Sequence, residues 1–260
     1  MIAVFYENIL TGAIAEHMRM PVVVAALKAR GLDAVYISDE TLKDRIHEVH
    51  SVLRSTGVAV AGLHAWIDFS SNPANQSYRF LIDEAVRLKA DNVLIVPGME
   101  SPENIVAGMR AAVKYGDVMG IRVCMEPLDR LDSPYNNIAG LEYFLDSVPG
   151  LYCCFDTGNL ILRGEDELAA FDRVKDRVIG LHLKDRTWEK ANVDDAEKVC
   201  ADGRTVYPAP VGDGVIRMEE ILDAADSAAT LPLIIELYDY SPAHILDGIC
   251  RSLEWVKKQH

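Results

Sequence analysis

The stretch LYCCFDTG, Leu151–Gly158, is a short apolar run that ends on a carboxylate and a turn. Side chains alternate faces along a strand, so Asp156 and Cys154 look one way and Phe155 looks the other. The same layout recurs in IRVCMEP (Ile121–Pro127) ending on Glu126, VIGLHLKD (Val178–Asp185) on His182 and LPLIIEL (Leu231–Leu237) on Glu236. In this register Cys124, Cys154, Gly180 and Ile234 share the face of the four polar residues, while Met125, Phe155, Leu181 and Ile235 take the other. Large apolar outward neighbours suit strands covered by helices. Polar groups at the strand ends suit a site at one mouth of a parallel barrel.

Outward from these segments, apolar runs alternate with helical patterns at roughly thirty-residue intervals, the rhythm of repeated βα units. Eight strands are predicted: Ile2–Phe5, Asp33–Ile37, Ala59–His64, Asn92–Val96, Arg122–Glu126, Tyr152–Asp156, Val178–Leu183 and Leu233–Leu237. The expected fold class is α/β, a single (β/α)8 TIM barrel over residues 1–260, close to the ~250 residues typical of that fold. Ser101-Pro102 and Ser241-Pro242 each place an N-cap before a proline at the first helical position, and Pro21 fits that role in the first unit. Gly31 and Gly57 are expected to stop helices. The connection 185–217, with the turn-like VGDGV near its end, is too long for an ordinary βα loop and is expected over the active-site face.

Twenty-six basic against forty acidic side chains give a formal net charge of −14, which repels nucleic acid and anionic membrane. The five cysteines are odd in number and show no CxxC spacing, so they read as reduced core residues of a cytoplasmic protein. MIAVFYEN at the N-terminus lacks a basic region and a long apolar stretch, and reads as a first strand with no signal peptide or membrane span. GxxxxGK[ST], GxGxxG and GxSxG are absent, which points away from nucleotide cofactors and a serine nucleophile.

Two Glu, one Asp and one His form a hard, mostly oxygen-donor set suited to Mn2+ or Mg2+, with Co2+ or Zn2+ also fitting. Three crowded carboxylates repel one another unless a cation lies between them. Around this set, His64 in GLHAWIDF, Lys184 two residues after His182, Arg186 at the start of the long loop, and Glu7 at the end of the first strand are candidate substrate contacts. Trp66, Trp188 and Tyr238 suit packing on the apolar face of a sugar ring.

The residues MEP (Glu126), FDTGN (Asp156), HLKD (His182) and IIEL (Glu236), in this order and with VGDG before the last unit, resemble the xylose isomerase-like barrel superfamily of sugar phosphate isomerases and epimerases. The resemblance implies that all four bind one divalent metal, and that Glu126 and Glu236 double as the acid/base pair. The implied activity is isomerisation or epimerisation of a small sugar, sugar phosphate or hydroxy-ketone through a metal-stabilised enediolate. A small carbohydrate is the implied partner, with room for a homo-oligomer. Ketose 3-epimerase-like members commonly carry His three residues after the metal-binding Asp, where this chain has Asn159, an amide that can hydrogen-bond a sugar hydroxyl but cannot titrate. The alternatives are a dehydratase of the inosose or dehydroshikimate type and a catalytically inactive sugar-binding barrel. An endonuclease IV-like repair enzyme fits less well, because it needs more strand-end histidines and a less acidic surface.

Overall fold

The first half of the chain alternates β1 (Ile2–Phe5), α1 (Tyr6–Ala15), α2 (Met20–Ala29), β2 (Ala34–Ser38), α3 (Asp39–Thr56), β3 (Ala59–Trp66), α4 (Tyr78–Leu88), β4 (Asn92–Val96) and α5 (Pro102–Met119). The second half continues with β5 (Arg122–Met125), α6 (Ile138–Ser147), β6 (Tyr152–Asp156), α7 (Glu167–Val174), β7 (Val178–Leu183), β8 (Asp185–Thr187), β9 (Lys198–Val199), β10 (Thr205–Ala209), α8 (Met218–Asp226), β11 (Leu233–Ile235) and α9 (Ile245–Gln259). The structure, a computed structural model, describes residues 1–99, 101–226 and 231–259. Eight strands close a parallel barrel in the order β1-β11-β7-β6-β5-β4-β3-β2, surrounded by helices: a (β/α)8 TIM barrel. β8, β10 and β9 form a separate antiparallel sheet inside the long connection.

The alternation of faces sorts the apolar residues into two cores. Ala3, Phe5, Ala34, Tyr36, Leu94, Cys124, Cys154 and Ile234 fill the barrel interior. Met125, Phe155, Leu181 and Ile235 join the larger core between strands and helices. Inside the barrel, small residues leave room for Phe5 and Tyr36. Gly62 shows how tight this is, since an added Cβ would lie 2.3 Å from the Tyr36 ring. The Tyr36 hydroxyl donates to Asn92 Oδ1 at 3.1 Å, and Asn92 Nδ2 donates to Ala61 O at 2.9 Å, so these two buried side chains are paired.

Several local expectations hold and others shift. Gly57 is the left-handed C-cap of α3 at φ 61°, and Pro21 lies in the first turn of α2. Ser101 precedes Pro102 at the start of α5 but makes no side-chain cap. Ser241-Pro242 does not open α9. The Ser241 N–H is drawn to Asp195 Oδ1 at 2.8 Å, a turn follows, and the helix begins at Ile245. Glu7 lies in the first turn of α1 and not at the end of β1. β5 stops at Met125 and β11 at Ile235, so Glu126 and Glu236 stand one residue past their strands. The Glu236 N–H still bonds Leu183 O at 3.1 Å, which keeps it in register with β7. All five cysteines are free, as expected. Among the described residues no single helix is long and apolar enough to cross a membrane.

Candidate metal centre

β5, β6, β7 and β11 are consecutive neighbours in the barrel, so their ends bring Glu126, Asp156, His182 and Glu236 to one place. One donor atom from each lies within 4.8 Å of all the others, and all four residues are buried. His182 Nδ1 is 2.8 Å from Glu126 Oε2 and 3.2 Å from Glu236 Oε2. Yet both ring nitrogens of His182, together with Glu126 Oε2 and Asp156 Oδ2, have no hydrogen-bond partner. Close approach without hydrogen-bond alignment leaves these donor atoms gathered around one shared space. Each buried polar group left this way costs about 1–3 kcal/mol, a cost that a divalent cation at their focus would remove. The four residues form a buried Glu/Asp/His/Glu metal-binding cluster, and its three hard carboxylates and one imidazole fit a divalent ion.

Lys184, on the same face of the chain as His182, completes the charge balance. Its Nζ lies 3.2 Å from Asp156 Oδ2 and 2.5 Å from Glu236 Oε1. It also donates to Asn159 Oδ1 at 2.9 Å, and Asn159 Nδ2 donates to Pro127 O at 2.9 Å. Asn159 therefore ties the ammonium to the backbone just beyond Glu126. Gly158 makes this approach possible, because a Cβ there would sit 2.5 Å from the Lys184 carbonyl oxygen.

The electrostatics follow from burial and these pairs. Burial, helped by Glu236 and Glu126, pushes the Asp156 carboxyl up to about 7 against the pull of Lys184. Burial alone would lower His182, but Glu126 and Glu236 push it up to about 10. Burial opposes charge on Glu236 too, yet Lys184 and His182 hold it well below the ordinary carboxylate range. Burial likewise disfavours the Lys184 cation and is overcome by Asp156, Glu236 and Asp129, which raise it.

Above the cluster is a cavity of about 220 Å³, lined in part by Phe5, His64, Leu94, Glu126, Asn159, Lys184, Glu236 and Tyr238. His64 Nε2 stands 3.6 Å from Glu7 Oε2 and has no hydrogen-bond partner. Glu7 Oε1 accepts from Ser38 N at 2.9 Å and from Ser38 Oγ at 2.8 Å. Burial would raise Glu7, but His64 and these donors hold it at about 2. Four of the expected contacts, Glu7, Trp66, Arg186 and Trp188, do not line the cavity. Trp66 is the last residue of β3, 50% exposed, and does not line the cavity. Arg186 is fully buried, paired with Asp129 at 3.1 Å and Asp239 at 3.4 Å, and is also absent from the cavity wall. Trp188 stacks under Arg204, 3.9 Å from ring centroid to guanidinium carbon.

Asp129, Lys198 and Asp239 also line the cavity and were not singled out from sequence. A signal for two of them exists: Asp129 and Asp239 follow Glu126 and Glu236 by three residues, the spacing that separates Asn159 from Asp156. Asp185 repeats the spacing after His182, but its carboxylate turns to the VGDGV loop, accepting from Gly212 N at 2.9 Å, Gly214 N at 3.0 Å and Ile216 N at 3.2 Å.

Barrel, mouth and metal cluster together define a metal-binding TIM barrel. The chain belongs to the Xylose isomerase-like TIM barrel family, which matches residues 24–259. Over 94 residues, 34% of this chain and 30% of the relative, it is 32% identical to an inosose dehydratase of Lacticaseibacillus casei. That match spans less than a third of the curated relative. In fold the chain is similar to a probable 3-DHS dehydratase from Bacillus anthracis, at 14% identity over 98% of each chain and a TM-score of 0.74. It is also similar to a D-allulose 3-epimerase from Methylomonas sp., at 15% identity over 100% of this chain and 97% of that one, TM-score 0.72. A third likeness is to an IOLI protein with a binding zinc atom, at 14% identity over 99% of this chain and 95% of that one, TM-score 0.74.

Proposed function

We propose that this protein is a divalent-metal-dependent isomerase or epimerase of a small sugar or hydroxy-ketone. The observation that carries the reading is a division of labour in the cluster. Glu126 and Glu236 line the cavity, whereas Asp156 and His182 are fully enclosed behind it. Two carboxylates facing one substrate space are placed to take a proton from carbon and to return one. The cavity is smaller than the ~300–1,000 Å³ clefts that hold drug-sized ligands, which suits a small molecule.

A divalent ion held by Glu126, Asp156, His182 and Glu236, Mn2+ or Mg2+ by donor type, would polarise a substrate carbonyl and acidify the adjacent C–H. One cavity-facing glutamate then accepts that proton, leaving an enediolate. The other glutamate, protonated as the carboxylic acid, delivers its proton to the opposite face of the same carbon in an epimerase, or to the neighbouring carbon in an isomerase. Lys184 holds Glu236 and Asp156 in place, and Asn159 holds Lys184. His64, Asn159 and Lys184 are assigned to substrate hydroxyls, with Glu7 setting the orientation of His64. Trp66 and Arg186 are left out of the contact set because neither lines the cavity.

The partial likeness to inosose dehydratase favours a second reading, in which loss of a β-hydroxyl follows the same proton abstraction. The test is solvent deuterium uptake into substrate carbon, screened over small ketoses with Mn2+ or Mg2+. Glu126→Gln and Glu236→Gln should each lower it by roughly 10²- to 10⁴-fold. Undiminished uptake in both variants refutes the base assignment, and a conjugated enone product selects the dehydratase.

A further inference from the structure

Resting on that reading, we propose that the pocket selects an uncharged polyhydroxy ketone and refuses its phosphorylated or carboxylated counterparts, with Asp129 and Asp239 as the residues that set this preference. An anion-binding sugar site needs a cation, or a set of N–H donors, free to meet the anion. Among the described residues around this cavity, each lysine or arginine is already held by at least two carboxylates. Lys184 is held by Asp156 at 3.2 Å and Glu236 at 2.5 Å. Arg186 is held by Asp129 at 3.1 Å and Asp239 at 3.4 Å. Lys198, which the β8-β10-β9 sheet of the long connection carries to the cavity wall, meets the same two aspartates, Asp239 at 3.4 Å and Asp129 in closer contact. His64, the remaining side chain on the wall able to become a cation, faces Glu7.

The charge balance points the same way. Glu7, Glu126, Asp129, Asp156, Glu236 and Asp239 stand against Lys184, Arg186 and Lys198, so a divalent ion in the cluster still leaves carboxylate in excess. A phosphate would enter a net negative mouth and would have to break a buried ion pair to find a partner. A hydroxyl needs neither, because carboxylates accept from it directly. Asp129 and Asp239 both hold Lys198 and Arg186, and Asp129 also stands 3.9 Å from Lys184 Nζ, so their role here is to occupy these cations.

The test uses the full chain loaded with Mn2+. Binding is read by calorimetry and by thermal shift for neutral ketoses, for the same ketoses carrying a terminal phosphate, and for inorganic phosphate. The phosphorylated sugar is expected to bind at least about tenfold more weakly than its neutral parent, and inorganic phosphate to give no shift. In Asp129→Asn/Asp239→Asn, which frees Lys198 and Arg186, inorganic phosphate is expected to stabilise the protein and the tenfold preference to shrink. Tighter binding of the phosphorylated sugar to the wild type overturns the proposal, even if deuterium uptake upholds the metal-assisted chemistry. Absence of deuterium uptake with every ketose, while neutral sugars still bind preferentially, removes the catalytic reading and leaves the selectivity standing.

Discussion

Replacing Lys184 by methionine keeps most of the side chain's bulk and deletes its charge. In the native site Nζ is 3.2 Å from Asp156 and 2.5 Å from Glu236, with side-chain exposures of 7%, 0% and 6% for the three groups. Removing one partner of a buried pair costs about 3–5 kcal/mol, because the other charge is left uncompensated. Asp156 modulates that cost with pH. Its carboxyl is pushed up from 3.8 to about 7 by burial and by its carboxylate neighbours, so the stability it contributes is fully present below the unfolded value and is lost as pH rises through about 7. Without Lys184 the protonated form becomes easier still to populate, so the variant escapes part of the penalty near pH 6 and bears most of it near pH 9. At about 2–4 °C per kcal/mol for chains of 150–250 residues, the expected fall in Tm at pH 9 in excess chelator is roughly 6–20 °C. Added Mn2+ supplies the missing positive charge, and should raise the Tm of the variant more than that of the wild type. Equal melting of the two proteins at pH 9 in chelator, or equal rescue by Mn2+, refutes the reasoning.

Two further outcomes follow from the same geometry. His182 is pushed up to about 10 by Glu126 and Glu236 despite its burial, so the metal-free site holds a proton there at neutral pH that a metal must displace. Its folded value lies above its unfolded one, so in chelator its contribution to stability is complete below about 6.5 and is lost as pH rises through about 10. Apparent metal affinity should therefore climb with pH over that window, and calorimetry in buffers of different ionisation enthalpy should register proton release on binding. Gly158→Ala places a Cβ 2.5 Å from the Lys184 carbonyl oxygen, a backbone atom that cannot swing aside. It should cost about 1–3 kcal/mol in urea unfolding and weaken Mn2+ binding as the β6 and β7 ends part, whereas unchanged affinity would show that the strand ends tolerate the spread.

The legible part of this chain was the part whose physics is local. Alternation along a strand is a two-residue rule, so Cys154 and Asp156 could be assigned to the barrel interior and Phe155 to the helix layer from eight letters; the two cores place Cys154 and Phe155 that way, and Asp156 joins the metal cluster. Because the four polar endings fall on neighbouring units, their convergence also followed from strand order. Boundaries were less legible where a distant partner intervenes. Ser241-Pro242 has the form of a helix start, but the Ser241 N–H is taken by Asp195, 46 residues away in sequence, and the helix waits until Ile245. Arg186 opens the long loop, and nothing in its local sequence marks it as buried. Its burial depends on Asp129 and Asp239, 57 and 53 residues distant, which no local pattern reveals.

The spacing of three residues after each cluster residue shows how far such reasoning can be pushed. At a barrel mouth the chain turns away after the strand, so a residue three positions on rises above the strand end and meets its counterparts from neighbouring loops. Asp129, Asn159 and Asp239 do so, and each holds a cation there: Asn159 and Asp129 reach Lys184, at 2.9 and 3.9 Å, and Asp239 reaches Lys198 at 3.4 Å. Asp185 has the same spacing but is diverted, because the backbone N–H groups of the VGDGV turn gather around its carboxylate. The level nearest the metal cluster is thus fixed by strand register and the level above it by competition among loops. Substrate choice in this protein should accordingly change more readily through Asp129, Asp239 and Lys198 than through the four cluster residues, whose replacement would remove the metal centre itself.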